Sequence, residues 1–139
     1  MKNAGIVAVL FIILLCLGCK QTSLEPVPDG VFSYTSYDTT GVALVRGWFT
    51  MVWIDSGAIE GEWHFQAVGS PRHIGPQVGS GSLVGGVNGE HLCIELNPQF
   101  ADNNLSLTGA LTNDVFSGQW AWISYIGVTN HGPFIAARN

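Results

Sequence analysis

Hydrophobic and polar residues alternate with a period of two along several segments of this chain, a pattern typical of β-strands with one buried face. The alternation is clearest in three segments, residues 59–66, 105–111 and 116–122. In the first of them, Trp63 and Phe65 fall on the side opposite Glu60 and Glu62. Each of these segments is therefore predicted to be a strand that faces a core on one side and water on the other.

Turn signals separate further strand candidates. Asn88-Gly89 predicts a type I′ hairpin, because both central residues of that turn need a positive φ. Eight strands result, at residues 31–38, 42–54, 59–66, 83–87, 90–96, 105–111, 116–122 and 132–138, with no helical stripe after residue 20. We predict an all-β, single-domain antiparallel meander, folded as an eight-stranded up-and-down barrel, with a compact β-sandwich as the alternative.

The second predicted strand is apolar on both faces, with Phe49 on one side and Trp48 and Val52 on the other. A barrel strand normally turns one side to water. We therefore expect that a loop or the N-terminal tether covers Trp48, or that this patch meets a protein partner, a second copy of the chain, or lipid. Glu60 and Glu62 on the next strand argue against an integral membrane barrel, which is apolar outside on every strand.

An internal repeat joins the third and seventh predicted strands. Residues 59–65 and 116–122 share the pattern apolar-x-Gly-x-Trp-x-aromatic, in which Gly61 and Gly118 are predicted to be structural, leaving space for an indole and letting the strand bend. The aromatic residues of the inner face form the core or line a ligand cavity: Phe49, Trp63, Trp120 and Trp122. These strands resemble those of avidin- and lipocalin-like barrels in architecture, without implied kinship. The resemblance keeps a small hydrophobic ligand open as an alternative function.

The N-terminus carries an export signal. Met1-Lys2-Asn3 precedes an apolar run from Ala4 to Leu17, which is shorter than the roughly 20 residues that span a bilayer. The following Gly18-Cys19 resembles the lipobox of bacterial lipoproteins. The resemblance implies that residues 1–18 are removed as a signal peptide and that Cys19 is lipidated and anchors the chain to a membrane.

The remaining domain assignments follow from composition. Pro26, Pro28 and Gly30 mark residues 19–30 as the lipidated cysteine and a flexible tether, and residues 31–139 form the barrel domain. Lys20 stands where Asp favours inner-membrane retention in the lipoproteins that this signal resembles. We expect a location in the bacterial cell envelope, at the outer membrane, facing the periplasm or the surface.

Charge excludes nucleic acid as a partner. The chain has ten acidic and five basic residues and a net charge of −5, whereas a nucleic-acid surface needs clustered lysine and arginine. With Cys16 in the leader and Cys19 lipidated, Cys93 has no partner for a disulfide. The fold is expected to depend on its core alone.

Catalytic chemistry is not predicted. His91, Cys93 and Glu95 share one strand face, but neighbours on such a face stand about 6.6 Å apart, too far for direct hydrogen bonding. The four histidines fit no metal-ligand spacing, and no nucleophile or phosphate motif is present. We expect no catalytic residue, no metal and no cofactor.

Two remaining positions carry specific expectations. The long loop 69–79 contains Arg72 and His73 and is a candidate binding loop, because ordered loops on barrels often bind partners. Arg138 is expected to lie over an inner tryptophan and close one mouth of the barrel. The leading function is a non-enzymatic structural or protein-interaction module. The alternatives are a binder of a small hydrophobic ligand and an envelope-anchored inhibitor of a secreted enzyme.

Overall fold

A computed structural model describes residues 29–54 and 57–139. Within these ranges the chain forms eight strands: β1 (Gly30–Tyr37), β2 (Ala43–Ile54), β3 (Ala58–Ala67), β4 (Gly79–Asn88), β5 (His91–Glu95), β6 (Asn103–Thr112), β7 (Val115–Ser124) and β8 (Gly127–Arg138). The predicted all-β class is confirmed. None of the described residues belongs to a helix long and apolar enough to cross a membrane. The predicted signal peptide and Cys19 lie outside the described residues.

The strands form a closed barrel. Each strand pairs antiparallel with the next one along the chain, and β8 pairs with β1 through the register Phe32↔Arg138 to Ser36↔Phe134. The eight-stranded meander barrel is thus confirmed, and the sandwich alternative is wrong. Closure pairs every strand with two neighbours, although the first residues of β4 (79–83) and of β8 (127–133) pair on one side only.

Aromatic side chains fill the interior of the barrel. Tyr34 and Phe65 stack with ring centroids 4.2 Å apart, and Phe116 meets Phe134 edge to face at 4.8 Å. Phe49 lies within 6.5 Å of Phe65 in the same cluster. Such pairs contribute about 0.5–1.5 kcal/mol beyond the area they bury. The barrel is therefore held by a packed aromatic core.

Two of the hairpin turns differ in type, and each sets the register of the strands that it joins. Asn113 and Asp114 have φ values of 50° and 63°, as a type I′ turn between β6 and β7 requires. The type I′ turn predicted at Asn88-Gly89 is wrong, because Asn88 pairs with His91 and Gly89 alone has a positive φ, 64°. This register places Leu92 inward, and a slip by one residue would turn it to solvent.

The strand directions give the barrel two distinct ends. The lower end holds Asp29, the turns after β4 and β6, and Asn139. The upper end holds the connections 38–42, 68–78, 96–102 and 125–126. At the lower end, the Asp29 carboxylate accepts a hydrogen bond from the Trp53 backbone N–H at 2.7 Å, and the Asn139 N–H donates to the Val31 carbonyl at 2.9 Å. Both ends of the described chain are tied to the same rim.

Two strands begin at least four residues earlier than predicted. β4 starts at Gly79 rather than at residue 83, and β8 starts at Gly127 rather than at residue 132. The first four residues of β4 have no apolar side chain, so the sequence gives no alternation there, yet their backbone pairs with β3. The connection between β7 and β8 is consequently a two-residue turn, Tyr125 and Ile126.

Candidate functional site

The predicted cavity lining is core in this structure. Phe49 and Trp120 are fully buried and Trp63 is 3% exposed, whereas Trp122 is half-buried at the upper end. The Trp63 indole N–H donates to the Leu96 carbonyl at 2.8 Å, and the Trp120 indole donates to the Tyr37 carbonyl at 2.8 Å. The packed rings of Phe49, Trp63 and Trp120 fill the interior, whereas Trp122 lines a shallow depression of about 440 Å³ at the upper end together with His73.

Gly61 and Gly118 lie where neighbouring strands approach closely. A Cβ at Gly61 would collide with the Thr50 carbonyl, and a Cβ at Gly118 would collide with the Thr108 carbonyl. The sequence predicts that the space beside each glycine accommodates an indole, but the backbone of the adjacent strand occupies that space. The Trp63 indole lies instead over Gly81 on β4, and the Trp120 indole lies over Gly132 on β8.

The loop at residues 69–78, here called the lid, closes the upper end of the barrel. Gln77 of the lid is fully buried, accepts a hydrogen bond from the Ser36 hydroxyl at 2.9 Å and donates to the Ile74 carbonyl at 2.8 Å. The Tyr34 hydroxyl lies 3.4 Å from the same Gln77 oxygen. Burial raises the pKa of Tyr34 far above its ordinary value, so its hydroxyl is held as a neutral donor.

The two predicted binding residues of this loop, Arg72 and His73, have exposed side chains at the rim of the lid. The His73 carbonyl accepts a hydrogen bond from the Asn130 side chain at 2.7 Å, and Gly75 packs against the Trp122 indole. The lid backbone is therefore part of the barrel closure, and binding by Arg72 and His73 remains a prediction.

Arg138 lies at the lower end of the barrel. Its guanidinium is 3.3 Å from the Asp114 carboxylate and its side chain runs along Gly30. Asp114, rather than an inner indole, is the partner that the structure gives it. Because both members of the pair are substantially exposed, the ion pair contributes about 0–1 kcal/mol.

The strand-face row of His91, Cys93 and Glu95 points outward from β5, and His91 is exposed. Burial raises the pKa of the Glu95 carboxyl, while hydrogen bonds from Asn104 and Ser106 oppose that shift. The Asn104 side chain also accepts from the Asn97 backbone N–H at 2.9 Å, which fixes the start of the β5–β6 connection. Within residues 29–54 and 57–139, no group of His, Cys, Asp and Glu is arranged to hold a metal ion.

A different part of the surface has the features of a binding site. Trp48, on the outer face of β2, is 41% exposed, so the described loops do not cover it. Its indole lies beside the His64 ring of β3, with centroids 6.2 Å apart and planes 22° apart. The two rings form an aromatic platform on the barrel wall. The N-terminal tether, which is the other expected cover of Trp48, lies almost entirely outside the described residues.

The platform separates two shallow depressions. The first, of about 560 Å³, runs past Arg46 and Gln66 towards the upper end of β2 and β3. The second, of about 270 Å³, lies on the other side and is bordered by Glu62. Trp48 and His64 line both depressions, so a ligand that crosses the platform enters both depressions.

A third depression continues the second one across β4. It has a volume of about 190 Å³, shares Ser80 and Gly81 with its neighbour, and ends at Phe100 in the connection 96–102. Phe100 is 58% exposed. The three depressions follow one another on the outside of the barrel and share lining residues, from Arg46 past Trp48 and Ser80 to Phe100, and we call them together the outer groove.

The local sequence explains the floor of the groove. β4 begins Gly79-Ser80-Gly81-Ser82, and these small side chains leave a valley between the larger residues of β3 and the connection 96–102. Gly81 also admits the Trp63 indole from the inner side, since a Cβ there would lie 3.1 Å from the indole nitrogen. The same short run therefore serves both the core and the groove.

The outer groove carries balanced charge. Arg46 and Glu62 contribute one charge of each sign, and the other polar side chains that line the two depressions around Trp48 are those of His64, Gln66 and Ser80. This balance contrasts with the acidic chain as a whole, whose net charge is −5. The groove is thus suited to a ligand of low charge.

Sequence reasoning identified the Trp48 patch but missed the groove. Two signals were present: the apolar outer face of β2, and the Gly-Ser run before the predicted start of the fourth strand. Phe100 gave no signal, because its position beside β4 depends on the fold of the connection 96–102. The groove is assembled from three strands and a loop that are separated in sequence.

The fold and the groove define a closed meander barrel with a packed interior and a groove on its outer wall. No protein-family model, no curated protein sequence and no solved structure matches this chain.

Proposed function

We propose that this chain is a non-enzymatic binding module of the bacterial cell envelope, held to the outer membrane by lipid on Cys19, which binds a macromolecular partner in the outer groove. The observation that carries this proposal is the contrast between the two sides of the barrel wall. The inner side is filled by its own aromatic rings, while Trp48 on the outer side is 41% exposed between two depressions.

A large exposed aromatic residue on a rigid strand is a typical binding anchor. Tryptophan is enriched among the residues that dominate binding energy, because it buries a large area and loses little side-chain entropy. Trp48 lies in the middle of β2, which pairs with β1 and β3 over most of its length. The anchor is therefore held in place before a partner arrives, which lowers the entropic cost of binding.

The alternative functions have weaker support, namely the depression of about 440 Å³ that His73 and Trp122 line at the upper end. A small hydrophobic ligand needs interior space, and Phe49, Trp63 and Trp120 occupy it. An inhibitor that acts through Arg72 and His73 needs a projecting loop, whereas the backbone around His73 is bonded to β8 through Asn130. The outer groove needs no rearrangement to receive a partner.

The lipid anchor rests on the sequence features at Cys19 and is tested separately. Cys19→Ser should move the protein from the membrane fraction to the soluble fraction of the envelope and abolish incorporation of a labelled fatty acid. A Cys19→Ser protein that stays in the membrane fraction and keeps its label would contradict the anchor.

The binding surface is tested by photo-crosslinking in cells. A benzophenone amino acid placed at Ser80, in the groove, should form adducts of increased mass, because benzophenone inserts into C–H bonds of any bound macromolecule. The matched control carries it at Ser117, an exposed serine on the outer face of β7. Adducts that are equal at both positions, or absent from position 80, would overturn the proposed site.

A further inference from the structure

We infer that the partner of the outer groove is a neutral glycan chain. The inference rests on the proposed function and names the class of ligand that this same groove accepts. Four properties of the groove support it: an aromatic platform, a mixed polar rim, balanced charge and an extended open shape.

The platform of Trp48 and His64 matches the apolar face of a sugar ring. A pyranose presents C–H bonds on its flat faces, and the negative face of an aromatic ring attracts such groups. The His64 ring is stacked beside the Trp48 indole, with centroids 6.2 Å apart and planes 22° apart, and 41% of the Trp48 surface remains exposed. A sugar ring can pack against this exposed part of the indole.

The rim of the platform matches the hydroxyl groups of the same ring. Arg46 and Gln66 supply N–H donors on one side, and Glu62 and Ser80 supply acceptors and a hydroxyl on the other. Within residues 29–54 and 57–139, neither Arg46 nor Glu62 is engaged in an ion pair. These groups are free to bond to a ligand whose edge both donates and accepts hydrogen bonds.

The charge of the groove selects a neutral chain. With one guanidinium and one carboxylate, the groove has no cluster of like charges to bind a polyanion or a polycation. Binding of a charged polymer depends on several neutralising contacts, as nucleic-acid sites illustrate. An uncharged glycan adds no charge of its own that would need a partner of opposite sign in the groove.

The shape of the groove favours a polymer over a small molecule. From Trp48 on β2 to the region beside β5, the groove crosses three interstrand spacings, about 14 Å. Exposed aromatic residues stand at two separate points of the groove, Trp48 at 41% and Phe100 at 58% exposure. A repeating chain can contact both rings at once, whereas a single small ring contacts one of them.

An extended peptide is less suited to this surface. Peptides that bind β-proteins commonly pair their backbone with a free strand edge. The groove runs across β2, β3 and β4, and the only strand edge beside it that lacks a described partner is the short stretch 79–83 of β4, which pairs with β3 but not with β5. Over the rest of the groove, the backbone donors and acceptors of a peptide would meet side chains, which the hydroxyl groups of a glycan can bond to directly.

The test uses the full chain in a polyoxyethylene detergent, because detergents with sugar headgroups would compete for the groove. Cello-, chito- and malto-oligosaccharides of increasing length are titrated by calorimetry, and affinity gels contain the corresponding neutral polysaccharides. We expect binding to at least one series, with affinity that rises with chain length. Absence of binding to all three series would overturn the inference.

Variants locate the binding. Trp48→Ala should weaken binding by about tenfold or more, while Trp48→Phe, which keeps an aromatic face, should retain most of the affinity. Phe100→Ala should weaken binding of long oligosaccharides and leave short ones unchanged. Ile135→Ala, at a 48% exposed position on β8, is the matched control. Glycan binding that Trp48→Ala leaves unchanged would overturn the inference.

The outcome also separates this inference from the proposed function. If no glycan binds but the photoreactive group at Ser80 captures a protein, and Trp48→Ala abolishes that adduct, then the glycan inference is wrong and the binding module stands. If Trp48→Ala affects neither kind of complex, both are wrong. Circular dichroism of each variant verifies that the barrel remains folded, and Ser80→Trp, which fills the groove without removing Trp48, gives a second loss-of-binding variant.

Discussion

The indole N–H of Trp120 on β7 donates a hydrogen bond to the backbone carbonyl of Tyr37 at the end of β1, 2.8 Å away and on the far side of β8. Trp63 on β3 makes the equivalent bond across β4 to the Leu96 carbonyl, also at 2.8 Å. β3 and β7 are half a turn apart in an eight-stranded barrel. The repeated sequence pattern is thus an approximate two-fold symmetry of the structure.

This symmetry predicts matched losses of stability. Trp120→Phe and Trp63→Phe each remove a buried donor and part of a packed ring, and each leaves a carbonyl without its partner. We expect each variant to lower the free energy of unfolding by about 2–4 kcal/mol, measured by guanidinium denaturation. Trp48→Phe, on the surface, should change it by less than about 0.5 kcal/mol. A large loss at one interior position alone would contradict equivalent roles.

The strand glycines give a sharper test of packing. Gly118→Ala should be strongly destabilising, by about 3 kcal/mol or more, because the new Cβ would meet the Thr108 carbonyl and force the strands apart. Gly86→Ala on β4 is the control, since a Cβ there would come no closer than 3.4 Å to the Gly57 carbonyl. The comparison is made by thermal melting. Equal melting temperatures for the two variants would show that the close approach is not rigid.

The lid depends on one buried amide. Gln77→Ala removes the acceptor of the Ser36 hydroxyl and the donor to the Ile74 carbonyl, and we expect a loss of about 2–4 kcal/mol. Hydrogen exchange should become faster in residues 69–78 than elsewhere. Arg72→Ala, on the exposed rim, should have little effect on stability. Unchanged exchange in the lid of the Gln77→Ala protein would mean that other contacts hold the lid.

Glu95 introduces a pH dependence. Because burial raises the pKa of its carboxyl in the folded state, the protonated form is favoured on folding, and this stabilisation is present below the ordinary value of about 4.3. It is lost as the pH rises through the folded-state pKa. Glu95→Gln stays neutral, so it should be more stable than the wild type at pH 7, by less than about 1 kcal/mol because the site is half-exposed.

The measurement for Glu95 is the difference in unfolding free energy between the two proteins across the pH range. The difference should shrink to near zero below about pH 4, where the wild-type carboxyl is also neutral in both states. A difference that stays constant with pH would show that the substitution acts through packing or through the hydrogen bond from Asn104.

The sequence was sufficient to predict the class and the strand count, because period-two alternation marks residues such as Trp63 and Phe65 wherever one face is buried. It failed where the alternation is absent. The first residues of β4, Gly79 to Ser82, have no apolar side chain, and their strand conformation is imposed by pairing with β3. Local pattern cannot predict a strand whose formation depends on its neighbour.

The site was only partly predictable for a related reason. Trp48 was identifiable because an apolar residue on a solvent-facing position breaks the pattern of β2. Its relation to Ser80 and Phe100 depends on the register between strands and on the path of the connection 96–102. Conversely, Arg72 and His73 stood out in the sequence because their loop is long, but that length is used to cover the upper end of the barrel.

The direction of chain entry determines how far the groove stands from any surface that holds the N-terminus. The chain enters the barrel at its lower rim through Asp29, and the groove extends from the middle of β2 to Phe100 at the upper rim. β2 has 12 residues, which at the usual tilt gives the barrel a height of about 30 Å. The groove thus lies roughly 15–30 Å from the rim at which the chain enters the barrel, so a partner in the groove and whatever holds the N-terminal rim are separated by the height of the barrel wall.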